Sequence, residues 1–189
     1  MNKLTVVVNE NGQLICYTSL KEAFCTENTL LMAYLDGEFS LSEILDLLAV
    51  PLIYASVNSV FDFTDVKALF EKEMPNNFAL LVKRIGYANS LEALLDNNLY
   101  KAEDVSRLGL INQIYTEEEF QAQVKRLSNL SLSAIELALS LAERMPHLAT
   151  AQAEVLERYA FALRFTHPNQ KEGMQAFLEK RPPKFSNFN

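Results

Sequence analysis

A chain of 189 residues with 49% hydrophobic and 22% charged side chains can bury a sizeable core, as one domain or one domain with a helical appendage. Its formal charge of -7 argues against nucleic acid as a partner, since phosphate binding needs a basic face.

The first elements are extended. Leu4 to Val8 and Leu14 to Tyr17 are apolar or β-branched runs around Asn9-Glu10-Asn11-Gly12, whose Asn-Gly supplies the positive φ of a hairpin turn. The two cysteines, Cys16 and Cys25, have no metal-ligand spacing and read as buried free thiols. Ser19 to Cys25 is a candidate short helix, and Leu30 to Leu35 a buried strand ending at Asp36-Gly37. Ser40 followed by Glu43 is a capping box that opens a helix over Ser40 to Leu48. Pro51 ends it, and Leu52 to Ala55 and Val60 to Phe63 follow as extended pieces.

Helices are then expected at Asp65 to Lys72, Asn77 to Arg84, Ser90 to Leu95 and Ala102 to Leu108, with Gly86 and Gly109 as stops. Leu110 to Tyr115 is a last strand. From Thr116 onwards all is helix: Thr116 and Glu119 cap Phe120 to Leu127, Ser133 to Met145 runs to Pro146, and Leu148 to Phe165 is apolar on more than one side. So much apolar surface on one helix predicts burial against another subunit. The composition shift near Thr116 divides the chain into 1–115, an α/β core, and 116–189, a helical oligomerisation region. The longest apolar run, Leu47 to Val57, is too short to span a bilayer, and the N-terminus has no leader pattern, so no membrane association and a cytoplasmic location are expected.

The tail, Glu172-Gly173-Met174-Gln175-Ala176-Phe177-Leu178-Glu179-Lys180-Arg181-Pro182-Pro183-Lys184-Phe185, resembles E-G-x-x-A-F-x-E-K-R-x-P-x-F, the ending of crotonase (enoyl-CoA hydratase/isomerase) superfamily chains. Lys101 to Asn112 is similar to that family's A-x-x-A-x-x-x-G-L-V-N, Arg84 to Glu92 to its R-x-x-G-x-x-x-A-x-E, and Pro51 to Phe61 to D-x-x-x-A-x-x-x-A-x-F. The shared order covers Gly37 to Phe185. The resemblance implies an α/β fold, a truncated crotonase-like ββα spiral followed by a C-terminal helical trimerisation region. Two origins stand for the N-terminal part. It is either the family's opening hairpin before a deletion, or Thr18 to Asn28 is the remnant of the A-F-C-A-G-A-D loop.

The resemblance also implies which residues would carry the chemistry. Family enzymes hold a thioester enolate with two backbone N–H groups, one in the A-G-A-D loop and one at a helix start opened by G-x-x-L-G-G-G. Here the second element reads Gly37-Glu38-Phe39-Ser40-Leu41-Ser42-Glu43, which leaves the Ser42 N–H as the matching donor. The capping box would occupy neighbouring donors and set a carboxylate beside the oxyanion position. Of the two hydratase glutamates, the first position is Leu45 and the second, in F-x-x-P-E, is Asp65. An acidic residue in a first helical turn is Asp65's ordinary reading, favoured by the helix dipole. His147 and His167 flank prolines at helix boundaries, where a histidine caps. The basic residues between Lys171 and Lys184 form either a local phosphate-binding patch or a solvated helix end.

The expected protein is thus a crotonase-like homotrimer or dimer of trimers, without full catalytic activity, acting as an oligomeric or regulatory module with weak acyl-CoA affinity. Tyr100, Phe177 and Lys180 are the implied coenzyme A contacts, and no cofactor beyond a coenzyme A thioester ligand is required. The alternative is an active hydratase or isomerase using Asp65 as acid/base and Ser42 N–H as donor.

Overall fold

The computed structural model describes residues 2–10, 13–19, 22, 29–67 and 77–185. The chain falls into two compact units, Met1–Val8 with Ile15–Ala122, and Asn9–Leu14 with Gln123–Asn189.

The first unit is built on two sheets. Strands β1 (Lys3–Glu10), β2 (Gln13–Tyr17), β3 (Thr29–Asp36), β5 (Leu52–Ala55) and β8 (Gln113–Ile114) form one, ordered β2-β1-β3-β5-β8. Strands β4 (Glu38–Ser40), β6 (Val60–Asp62) and β7 (Leu99–Lys101) form the other, ordered β4-β6-β7. The chain leaves the larger sheet at Gly37, adds β4 to the smaller one, and returns through helix α1 (Leu41–Leu47). It then repeats the move with β5 and β6. These successive ββα turns lie in parallel register, Met32 opposite Leu52 and Glu38 opposite Val60. The corner between them is zipped by hydrogen bonds: Ser56 N–H and Ser59 Oγ–H donate to Leu35 O (2.8 and 3.0 Å), and Val60 N–H donates to Gly37 O (2.9 Å).

Leu31 to Leu35 are buried without alternation, as befits a strand covered on both faces. One face of the sheet sends Ala33, Leu35, Ile53 and Ala55 into a core shared with Phe39 and Leu45. On the other, Tyr34 stacks on Phe120 (5.1 Å between centroids) and Tyr54 on Tyr115 (4.7 Å). Phe120 belongs to α5 (Glu117–Ser128), which opens with the expected box: Thr116 N–H donates to Glu119 Oε2 (2.8 Å) and Glu119 N–H to Thr116 Oγ1 (3.2 Å). Helices α2 (Asn77–Ile85), α3 (Tyr87–Asp96) and α4 (Ala102–Leu108) complete the unit.

Several expectations change. Strands β4 and β7 have three residues each, too few for periodicity to reveal, and exist through pairing with β6. The last strand shrinks from Leu110–Tyr115 to Gln113–Ile114, because Leu110 and Ile111 plug the core after the left-handed turn at Gly109. Asp65 is not helical, and Val66–Lys67 form a turn; the rest of that expected helix lies outside the described residues. So do Cys25 and Ala23–Asn28, and the expected helix at Ser19 to Cys25 is described only at Ser19 and at Glu22, which is helical. Cys16 is exposed, not buried: β2 is an edge strand whose inward positions are Ile15 and Tyr17, and alternation turns Cys16 outward.

The second unit is helical: the end of α5, then α6 (Leu132–Arg144), a 3-10 turn at Met145–His147, α7 (Thr150–Arg164) and α8 (Pro168–Leu178). Its buried apolar set is small, Leu127, Leu132, Ala160 and Ala176. Polar bonds reinforce it: Asn169 Nδ2–H donates to Ser131 Oγ (3.0 Å) and an Arg164 N–H to Ser133 O (2.6 Å). Helix α7 leaves Tyr159, Phe161 and Leu163 about two-thirds exposed, at 69%, 66% and 69%. Among the described residues, no helix is long and apolar enough to cross a membrane.

Candidate functional site

Parallel pairing of β4 with β6 sets Ser40 opposite Asp62. The two segments that follow, carrying Ser42 and Asp65, therefore leave the same end of the smaller sheet. Ligands in α/β folds gather at the carboxyl ends of parallel strands. Tyr100 sits beside them on β7, opposite Phe61 and edge-on to Phe63 (5.4 Å). Its hydroxyl donates to Asp96 Oδ2 (3.2 Å); burial first, and the Asp96 carboxylate next, push the phenol above its ordinary range. Asp65 is exposed. Asp62, three residues earlier, accepts from Thr64 Oγ1–H (2.6 Å) and Thr64 N–H (2.8 Å), which holds its carboxyl below the usual range.

Along β4 and the start of α1, the backbone N–H groups of Glu38, Ser40 and Glu43 are each taken by a side chain. Ser40 N–H and Oγ–H both donate to Glu43 Oε2 (2.9 and 2.7 Å), and Glu43 N–H donates back to Ser40 Oγ (3.4 Å). Glu38 N–H donates to Asn2 Oδ1 (2.9 Å), while Asn2 Nδ2–H donates to Glu38 O. Ser42 has an interaction partner of its own. Gly37 is needed for the Asn2 contact: at φ +128°, a Cβ would lie 2.9 Å from the Asn2 Cα. One turn into α1, Leu45 is 3% exposed, part of the core. A carboxylate there would have to be desolvated; a leucine fills the space instead.

Phe177 and Lys180 belong to the second unit, Ser42, Asp65 and Tyr100 to the first. Helix α8 begins with His167 as cap, its Nδ1 accepting from Asn169 N–H (3.2 Å), as the sequence led one to expect. The helix ends in a Schellman motif: Arg181 N–H donates to Ala176 O (3.0 Å) and Lys180 N–H to Phe177 O (3.2 Å), with Lys180 left-handed at φ 52°. The chain then folds back. Glu172 takes Arg181 in two bonds (2.6 and 3.0 Å) and accepts Lys184 N–H (2.6 Å). Arg181's hydrogen bond first, then that of Lys184, hold the Glu172 carboxyl down at about 2. Phe185 lies over Gly173. Arg181 also bonds Glu179, so the tail's basic run is partly neutralised internally. Phe177 is 83% exposed.

Arg84 and Asn112 were quoted above only as parts of patterns, and the structure gives them a shared task. Arg84 donates to Pro51 O (2.8 Å), Leu110 O (3.1 Å), Val50 O (3.4 Å) and Asn112 Oδ1 (3.0 Å). Burial draws its guanidinium below its ordinary range. Asn112 Oδ1 also accepts Ile53 N–H (2.7 Å), carrying the β5–β8 ladder on with a side chain. Among the described residues, no group of three or more His, Cys, Asp or Glu could hold a metal ion.

Two stacked ββα turns, followed in sequence by a helical unit, define a crotonase-type fold. The enoyl-CoA hydratase/isomerase family model matches residues 47–188, and the chain belongs to that family. It is 32% identical over 109 residues to crotonyl-CoA hydratase of Syntrophomonas wolfei, covering 56% of this chain and 42% of that one. A putative enoyl-CoA hydratase of Thermus thermophilus is 28% identical over 142 residues, 73% of this chain and 55% of the relative. A crystal structure of an enoyl-CoA hydratase subunit from Geobacillus kaustophilus superposes with a TM-score of 0.70 at 29% identity, over 81% of this chain and 61% of that one. The chain thus spans roughly two-fifths to just over half the length of these curated relatives.

Proposed function

We propose that this protein is an oligomeric or regulatory member of its family that binds acyl-CoA weakly and lacks full catalytic activity. One observation carries the reading: the closed Ser40–Glu43 capping box, in which Glu43 takes up the Ser40 N–H where a family enzyme keeps donors for an enolate oxygen. Leu45, buried where the hydratases place a glutamate, supports it. Residues 1–115 would form the truncated crotonase-like α/β core and 116–189 the helical oligomerisation region of a cytoplasmic homotrimer or dimer of trimers. The exposed apolar residues of α7 and α8 favour that assembly. Tyr100, Phe177 and Lys180 would supply the remaining coenzyme A contacts, with no other cofactor.

A second reading, an active hydratase or isomerase, draws on the parallel β4–β6 pairing that brings Ser42 and Asp65 to one sheet end. There Asp65 would move the proton and the Ser42 N–H would face the developing oxyanion. Calorimetric titration with coenzyme A and a short acyl-CoA, run beside a turnover assay, separates the two. Weak binding without turnover supports the first; turnover abolished by Asp65→Asn supports the second.

A further inference from the structure

In the smaller sheet β4 is an edge strand, ordered β4-β6-β7. Gly37 O takes Val60 N–H from β6 (2.9 Å). Peptide groups alternate sides along a strand, so Glu38 and Ser40 turn theirs away from β6. An outward row of this kind is a template for pairing with another chain. Here side chains occupy it. The Asn2 carboxamide accepts Glu38 N–H (2.9 Å) and donates to Glu38 O, so one side chain makes the two bonds that a paired strand residue would make. Glu43 Oε2 accepts Ser40 N–H (2.9 Å).

The place of Asn2 follows the repeat. Strands β3 and β4 belong to one turn and β5 and β6 to the next, and β1 lies beside β3 on the side away from β5. Asn2 immediately precedes β1 and lies beside β4 on the side away from β6. Together β1 and Asn2 stand where a further turn would set its two strands.

We propose that Asn2 and Glu43 are edge guards, closing the open end of the spiral so that β4 does not pair with β4 of a second copy. The Glu43–Ser40 bond thus has an effect besides filling a donor position, and it holds whether or not the protein is a catalyst. With both guards withdrawn, two β4 strands meet antiparallel about Phe39, Glu38 of one opposite Ser40 of the other. That register sets no like charges against each other.

The test compares the full chain with three variants, by sedimentation velocity and by hydrogen exchange at the Glu38 amide. Asn2 and Glu43 are exposed, so replacing them opens no cavity. Asn2→Ala alone should lower the protection factor of the Glu38 amide about fivefold, the contribution of one hydrogen bond of ordinary net strength. Asn2→Ala/Glu43→Ala should form larger species than the wild type at the same concentration, whatever mass the wild type has. Protection at Glu38 should recover as they form. Asn2→Ala/Ser40→Ala also breaks the capping box but leaves Glu43 on the residue-40 N–H; it should keep the wild-type mass. Three results each overturn the proposal: Glu38 protection unchanged by Asn2→Ala, wild-type mass for Asn2→Ala/Glu43→Ala at every concentration, or equal association of the two double variants.

Discussion

Leu45 and Glu43 are the two side chains on which the proposed loss of full catalytic activity rests. Leu45 packs in the core, and burying such a side chain contributes about 1.5–3 kcal/mol; a glutamate in its place would lose that and add a desolvation cost. Glu43 and Ser40 close the start of α1 on each other. Ser40→Ala should cost about 1 kcal/mol, and pairing it with Glu43→Ala should cost clearly less than the sum of the two, since each removes the same box. Urea denaturation of the three variants checks this. Arg84 acts by other means, satisfying carbonyls from two separate loops. Arg84→Met should destabilise by about 1–3 kcal/mol through orphaned acceptors, and Arg84→Lys should recover little because one ammonium cannot copy the fork. The sequence made Ser40 and Glu43 legible because their partners are three residues apart. Arg84 was not legible as a staple, because its acceptors lie 26 to 34 residues away.

At the scale of elements, the tail is the clearest device. Its family-like letters turn out to be a helix stop and a fold-back: Ala176 is buried, Lys180 takes the left-handed position, and Glu172 gathers Arg181 and the Lys184 amide. A carboxyl lowered to about 2 from an ordinary 4.5 favours the docked tail fully above the ordinary value, and that contribution is lost as pH falls through about 2. The protection factor of the Lys184 amide, its exchange rate relative to the intrinsic rate at the same pH, should therefore fall between pH 4 and pH 2, whereas Glu172→Gln should lower it at neutral pH. Lys180→Gly should stabilise the helix end by about 1 kcal/mol. A loss of coenzyme A affinity in that stabilised variant would mark the lysine as a ligand contact. Most long elements could be read from periodicity and caps. Strands β4 and β7, three residues each, and the shortened β8 could not, because pairing partners distant in sequence define them. Cys16 was misplaced for a related reason: which face of β2 is inward follows from its edge position in the sheet.

For the whole molecule, the two ββα turns place Ser42, Asp65 and Tyr100 in one unit, while Phe177 and Lys180 belong to the helical unit. The helical unit buries few apolar side chains and leaves Tyr159, Leu163 and Phe177 exposed at 69%, 69% and 83%, and the proposed assembly would cover them. Light scattering coupled to size exclusion should give a trimeric or hexameric mass; a monomer at every concentration would remove the assembly role. The central claim concerns chemistry, and hydration of a short 2-enoyl-CoA tests it most directly, measured at high protein concentration on the wild type and Asp65→Asn side by side. The account predicts at most trace turnover, unchanged by Asp65→Asn. Wild-type turnover that disappears in Asp65→Asn would contradict it.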